Sequence, residues 1–219
     1  MKKAVCLISG GMDSYVSAAI AKKEGYEIYG LTVRYGQKNY KEISSARKVA
    51  GMLRVKKHLV TGVDLSWTDS ALTDKKTRIP QKVNRGEIPA TYVPARNTVL
   101  ISIALAFAET VDADAVFTGV NAVDFSGYPD CRPEYIKRFQ RLADTALKKT
   151  SEGGKIKLKA PLLRMSKKEI IGKGISLGLD FSLTWSCYKS GRKPCGQCPS
   201  CILRAEAFAS SGISDPLIT

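Results

Sequence analysis

An apolar run, Ala4 to Ile8, breaks into Ser9-Gly10-Gly11-Met12-Asp13-Ser14 and passes at once into a helical pattern carrying Val16, Ala19 and Ile20. A buried-type strand joined to a helix by two adjacent glycines gathers free backbone N–H groups and the positive end of a helix dipole at one point. An anion is favoured there. Gly10 and Gly11 allow close approach to the backbone, and Ser9 and Ser14 offer hydroxyl donors. Asp13 suits either of two tasks, orienting a magnesium ion or capping the helix. No Lys follows the glycines, so the turn is not a Walker A loop. The plainer alternative is an ordinary Ser-Gly-Gly turn with an Asp cap.

The rest of the chain supplies a fold in which such a turn has a place. Lys3 to Ile8 reads as a strand, Met12 to Glu24 as a helix stopped by Gly25, and Glu27 to Val33 as a second strand. A helix over Tyr40 to Met52 and a strand near His58 to Val63 continue the alternation, which predicts βαβ units in a doubly wound, mainly parallel α/β sheet. Ligands of such sheets sit beyond the carboxyl ends of strands, where Ser9 to Ser14 falls. Leu65 to Tyr92 is polar, contains Pro80 and Pro89, and is long for a connection, so it reads as a lid or excursion that is partly disordered without ligand. Thr98 to Glu109 is an almost wholly apolar helix, suited to the core or to a partner subunit. Ala113 to Gly119 is the fourth strand and opens into a polar loop ending at Arg132. Pro133 starts a helix, Lys155 to Leu163 is strand-like, and Ser166 to Gly178 is a capped helix.

Residues 1–180 are expected to form the α/β body, and 181–219 a helical tail packed on it. That tail carries Cys187, Cys195, Cys198 and Cys201 in the spacing C-x7-C-x2-C-x2-C. Short C-x2-C steps let thiolates converge on one tetrahedral zinc, and four thiolates leave no open position, so such a zinc is structural. An iron–sulfur cluster shares the spacing. Disulfides fit less well, because nothing marks the chain for secretion: Met1-Lys2-Lys3 and the short apolar run after it read as a first strand, not a signal peptide.

A net charge of +15, from 35 basic and 20 acidic residues, is compatible with anionic ligands, with nucleic acid or with a solvated basic coat. The lysines lie in dispersed pairs, such as Lys22-Lys23 and Lys167-Lys168, which favours the coat. The longest apolar runs are far short of a membrane span, so a cytoplasmic chain without a membrane partner is expected. His58 is the sole histidine and lies in a strand pattern, so it reads as structural. With no glutaminase apparatus evident, any amide nitrogen used should be free ammonia.

In the form S-G-G-x-D-S after the first strand, the turn resembles the PP-loop of the ATP pyrophosphatases, whose fold is that of the adenine nucleotide alpha hydrolases. More of the chain matches one family within them. Tyr35-Gly36-Gln37, Val93-Pro94-Ala95-Arg96-Asn97, the Ser126-Gly127-Tyr128-Pro129-Asp130-Cys131-Arg132 core of the polar loop and Trp185-Ser186-Cys187-Tyr188 are similar to the 7-cyano-7-deazaguanine synthases, over Ala4 to about Ala209. Tyr15 stands where that family usually has Thr, and Ala95 where Gly is common.

The resemblance implies conversion of 7-carboxy-7-deazaguanine and ammonia to the nitrile, with ATP as co-substrate and magnesium alongside it, toward queuosine or archaeosine. It implies an ATP site over Ile8, Ser9, Gly10, Gly11, Met12, Asp13, Ser14, Tyr15, Val16, Ser17 and Ala18, in which Ser9, Asp13 and Ser14 serve catalysis, and a homo-oligomer, expected to be a dimer. Arg96, Asp124, Tyr128 and Asp130 are expected to bind the base, the acids at its donor edge or on magnesium, Tyr128 by stacking and Arg96 on a carboxylate or phosphate. Ordinary turn and cap work is the alternative for each. Cys131 reads as a packed thiol more than a nucleophile. Two other functions compete: a PP-loop enzyme that thiolates or otherwise modifies tRNA, and a non-catalytic zinc module that binds nucleic acid. Neither a separate RNA-binding domain nor a clustered basic face is apparent, so nucleic acid is not required.

Overall fold

The computed structural model describes residues 1–83, 87–123, 128–189 and 191–218. Its sheet is built from β1 (Lys3–Leu7), β2 (Glu27–Arg34), β3 (Lys57–Gly62), β4 (Ala115–Phe117) and β5 (Lys157–Lys159). All pair in parallel, in the order β3-β2-β1-β4-β5. The chain therefore winds outward from β1 in one direction and then, from β4, in the other. The switch point lies between β1 and β4, where their carboxyl ends splay apart and leave a crevice.

Helices cover both faces, as the continuous apolar strands require. α1 (Met12–Lys23) and α2 (Lys41–Met52) bury Tyr15, Ala18, Ala46 and Val49 against Ala4, Cys6 and Phe117. α3 (Arg96–Thr110) and α4 (Pro133–Ala146) bury Ile101, Leu105, Phe107 and Phe139 against Val5, Leu31 and Val116 on the opposite side. Alternate residues of β1 thus face different layers. The apolar α3 is a core helix, with Ser102 and Ala106 exposed at its outer edge.

α5 (Lys148–Ser151) is a single turn, separated from α4 by the extended Leu147, so the helix that starts at Pro133 stops at Ala146. The strand expected over Lys155 to Leu163 is limited to β5, because Pro161 to Arg164 form a turn that packs Leu162 with Met12, Val16 and Ile170. α6 (Lys167–Ser176) begins with a complete capping box, Ser166 with Glu169, and α7 (Pro199–Ser210) follows the cysteines. Phe208 of α7 packs with Met12, Val16, Ile170 and Phe181, which seats the tail on α1 and α6.

The segment between β3 and α3 forms no helix or strand among the described residues. It is nevertheless anchored: Leu65, Leu72 and Val93 pack around Tyr35, and Thr68, Ser70 and Thr73 are buried in their own hydrogen-bond network. No helix among the described residues is long and apolar enough to cross a membrane.

Candidate active site

At the switch point a cavity of about 340 Å³ opens, within the range of small-molecule sites. Ser9, Gly11, Met12, Asp13 and Ser14 form one part of its wall. The turn is wired internally. Ser14 Oγ donates to the Gly11 carbonyl at 2.9 Å and accepts from the Ser9 amide at 3.2 Å, and the two seryl oxygens lie 3.1 Å apart. Gly11, the N-cap residue of α1, gives no side-chain cap, so the first amides of the helix point at the cavity without an internal acceptor.

Gly10 has φ +88° and packs so tightly that an added Cβ would meet the Glu42 carbonyl at 2.3 Å. Both features require glycine. Gly119, at the end of β4, closes the other side: a Cβ there would stand 2.8 Å from the Ser14 amide nitrogen. The chemistry of the turn thus depends on backbone contact with α2 and with the strand end.

Ile8, Tyr15, Val16, Ser17 and Ala18, all expected in the nucleotide site, are buried away from the cavity. They belong to the core beneath it, and Ser17 Oγ donates to the Thr118 carbonyl at 3.0 Å. A helix that starts at Met12 presents only its first turn to the crevice; the next turn faces the sheet.

Asp13 is met by Lys167, whose Nζ lies 2.5 Å from Oδ2. Its Oδ1 is buried without a hydrogen-bond partner. Lys167 lines the cavity and was not singled out from sequence. A signal existed: a cation directly after an N-cap serine opposes the helix dipole, and an anion nearby resolves the conflict.

Across the cavity, Arg96 lies 5.6 Å from the ring centroid of Tyr35 and 5.9 Å from that of Tyr128. Burial opposes its charge, but the oxygens of Tyr35, Tyr128 and Tyr188 together with Asp130 outweigh that and hold it protonated. Burial pushes the Tyr35 phenol up to about 12 and raises those of Tyr128 and Tyr188 as well, so these rings act as neutral, polarisable walls. Tyr128 Oη is 3.0 Å from Thr91 Oγ1 and its ring is 5.5 Å from that of Tyr92, tying it to the long segment.

Asp130 is placed differently from the expectation. It does not line the cavity; its Oδ2 accepts the Asn97 amide at 3.0 Å, capping the first turn of α3 from the side. That contact is needed because the N-cap residue of α3, Ala95, offers no side-chain acceptor and sits in the left-handed region at φ +52°. The same strain explains why glycine suits this position. Asp124, Phe125, Ser126 and Gly127 lie outside the described residues. Cys131 is buried, its Sγ 3.3 Å from Asn97 Nδ2, and burial with the neighbouring Asp130 pushes its thiol up to about 11. It is therefore a packed, protonated thiol at neutral pH.

Glu42, in the first turn of α2, also lines the cavity and was not anticipated. Burial raises its carboxyl to about 7, against the pull of Arg96. An acid near the start of a helix is commonplace in sequence, so nothing distinguished it.

The four tail cysteines converge as their spacing predicts, with all Sγ atoms within 4.8 Å of one another. That separation fits one tetrahedral ion with bonds near 2.3 Å. Amides of Lys189 and Cys195 point at Cys187 Sγ, both at 3.4 Å, and that of Cys198 at Cys195 Sγ at 3.3 Å. Burial opposes ionisation of Cys195, but the Gln197 and Cys198 amides and adjacent thiols lower it, whereas burial raises the thiols of Cys187 and Cys201. This knot reaches the phosphate turn. The Trp185 amide donates to the Gly10 carbonyl at 2.9 Å, Asn39 Nδ2 donates to the Cys187 carbonyl at 2.6 Å, and Lys41 Nζ lies 4.3 Å above the Trp185 ring. Arg204 of α7, itself on the cavity wall, is paired with Asp215 at 2.6 and 2.7 Å and donates to Thr184 Oγ1 at 2.7 Å, all buried.

The family model described as queuosine biosynthesis protein QueC matches residues 3–212. The 7-cyano-7-deazaguanine synthase of Pseudomonas aeruginosa (strain UCBPP-PA14) is 50% identical over 218 residues, 98% of this chain and 97% of that protein. That of Coxiella burnetii (strain RSA 331 / Henzerling II) is 48% identical over 219 residues, covering 99% and 97%. Among solved structures, a 4-thiouridine synthetase–RNA complex with bound ATP matches 95% of this chain and 54% of its own at TM-score 0.54 and 21% identity. A predicted subunit of tRNA methyltransferase from Methanocaldococcus jannaschii matches 100% and 92% at TM-score 0.51 and 18% identity. The distant structures share the fold, and the close relatives match this chain over almost its whole length at about half identity: the chain belongs to the family of the queuosine biosynthesis protein QueC, enzymes named 7-cyano-7-deazaguanine synthase.

Proposed function

We propose that the chain is an ATP-dependent carbon–nitrogen ligase that converts 7-carboxy-7-deazaguanine and ammonia to 7-cyano-7-deazaguanine. The observation that carries this reading is the uncapped first turn of α1, facing a cavity that also holds Lys167 and Arg96. A carboxylate is a poor electrophile until one oxygen becomes a leaving group. Adenylation achieves this, and the amides and hydroxyls of Ser9, Gly11 and Ser14, with Lys167, would stabilise the charge that develops on the departing pyrophosphate. Ammonia then gives the amide. A second adenylation, now at the amide oxygen, permits elimination to the nitrile with loss of a second AMP and two protons.

Residues 1–180 serve as the nucleotide-binding body and 181–219 as the metal-bearing tail. Magnesium, when bound with ATP, would supply charge neutralisation between phosphates, and the unpartnered Oδ1 of Asp13 is a hard oxygen fit to hold it. Zinc, when bound by Cys187, Cys195, Cys198 and Cys201, would fix the tail beneath the phosphate turn. Arg96 and Tyr128 face the base, Arg96 toward its acceptor side and Tyr128 against its plane. Asp130 acts through Asn97 as a positioning residue.

The test is incubation of the zinc-loaded protein with ATP, magnesium, ammonium and 7-carboxy-7-deazaguanine, followed by mass spectrometry. Nitrile with AMP in a ratio near one to two is expected. Unchanged base with unchanged ATP would sink the reading.

A further inference from the structure

The acids among the described residues of the cavity wall are Asp13 and Glu42. Asp13 is engaged by Lys167. Glu42 accepts no hydrogen bond and forms no ion pair among the described residues, although Arg96, Tyr35 and Tyr188 are all near enough to influence its electrostatics or be influenced by it. An acid left without a donor inside a cavity is costly unless a ligand supplies one. Asp130, which sequence favoured for that task, gives its Oδ2 to the Asn97 amide, and neither that oxygen nor its buried, unpartnered Oδ1 belongs to the cavity wall.

We infer that Glu42 is the specificity-determining acceptor for the base, its carboxylate taking the paired donors of a planar heterocycle with an N–H and an adjacent exocyclic amine. This rests on the proposed function and deepens it. Two oxygens of one carboxylate match two parallel N–H donors, as they match a guanidinium fork. Arg96, with a cation for the acceptor side, stands opposite without closing an ion pair, and Tyr35, Tyr128 and Tyr188 provide flat, neutral walls. A guanine-type edge fits this pattern. An adenine-type edge, which sets an acceptor beside its amine, leaves one oxygen of Glu42 facing a lone pair. The carboxyl raised by burial supports the assignment, because a bound pair of donors would restore the ionised form.

The position of Glu42 is fixed independently of the base. Its own carbonyl packs on Gly10, so the acceptor is keyed to the phosphate turn by backbone contact. Nucleotide and base are therefore registered against the same helix end.

The test is calorimetric binding, at saturating non-hydrolysable ATP analogue, of 7-carboxy-7-deazaguanine and of its analogue lacking the 2-amino group. The full-length protein should prefer the former by roughly tenfold or more, since a site built for a donor rejects a ligand that lacks it. In Glu42→Gln the preference should collapse to within about twofold while the analogue of ATP still binds; Glu42→Asp, keeping the acceptor, should bind more weakly yet retain the preference. An undiminished preference in Glu42→Gln overturns the assignment to Glu42 alone. Failure of the unaltered protein to bind 7-carboxy-7-deazaguanine at all, with the nucleotide bound, overturns the proposed function and this inference with it.

Discussion

The ammonium of Lys167 lies 2.5 Å from Oδ2 of Asp13, across 154 positions of sequence. It brings the start of α6 to the start of α1, so that Lys167 stands beside the uncapped first turn of α1 on the cavity wall. Replacing Lys167 by Met should leave the fold intact, since the side chain is partly solvated, and lower kcat/KM for ATP on the order of 100-fold, as removal of one preorganised cationic donor does. Steady-state AMP release measures it. An effect below about threefold would mean that Lys167 merely pairs with Asp13.

Gly119→Ala should be costly despite its small size. The new methyl would press on the Ser14 amide at 2.8 Å and on Asp13 C at 2.9 Å, both backbone atoms that cannot step aside. A loss of about 1–3 kcal/mol in denaturant unfolding is expected, together with weakened ATP binding. Gly25→Ala, which meets nothing within 4 Å but has φ +83°, separates conformational strain from this steric effect, because it should lose stability without losing nucleotide affinity.

Both glycines show what could and could not be read before the fold was known. The strand-turn-helix junction, the parallel alternation and the four cysteines are local patterns, and each appears where its spacing predicts. Gly119 ends a strand in an unremarkable way, and its role arises from a neighbour more than a hundred residues earlier in the chain. Glu42 was hidden for the same reason: an acid in a first helical turn is chemically ordinary until the sheet order places it at the switch point. Asp130 shows the opposite ambiguity, because a loop acid beside a strand end suits a ligand and a helix cap equally well, and its Oδ2 takes the Asn97 amide.

Metal removal should reach the nucleotide. Chelation is expected to release Cys187 and its neighbours, and with them the Trp185 amide that holds the Gly10 carbonyl. Calorimetry should then show ATP affinity falling by at least tenfold, recovered on adding zinc, because a preformed cradle would have to be ordered by the ligand instead. An apo protein that binds ATP as well as the loaded one would show that the tail is thermodynamically separate.

Stability should carry the mark of Glu42 between pH 4.5 and about 7. Its folded carboxyl is raised by burial from 4.5 to about 7, with Arg96 opposing and Tyr35 and Tyr188 facing it. The folded state binds more protons than the unfolded one across that window, so this contribution is complete below 4.5 and is lost as pH rises through about 7. His58, lowered by burial and by Arg47, acts in the opposite sense as pH falls below 6.5. The difference in melting temperature between the unaltered protein and Glu42→Gln cancels the histidine and should decline across the window. A flat difference would place Glu42 in contact with water.

The bond from the Trp185 amide to the Gly10 carbonyl also sets an order of events during synthesis. Chains leave the ribosome amino end first, so the turn at Ser9 to Ser14 emerges well before its clamp at Trp185. A chain that has not yet reached Trp185 carries the glycine turn without the contact that holds its carbonyl, so the shape of that turn is completed only when the cysteine-bearing tail has been made and docked.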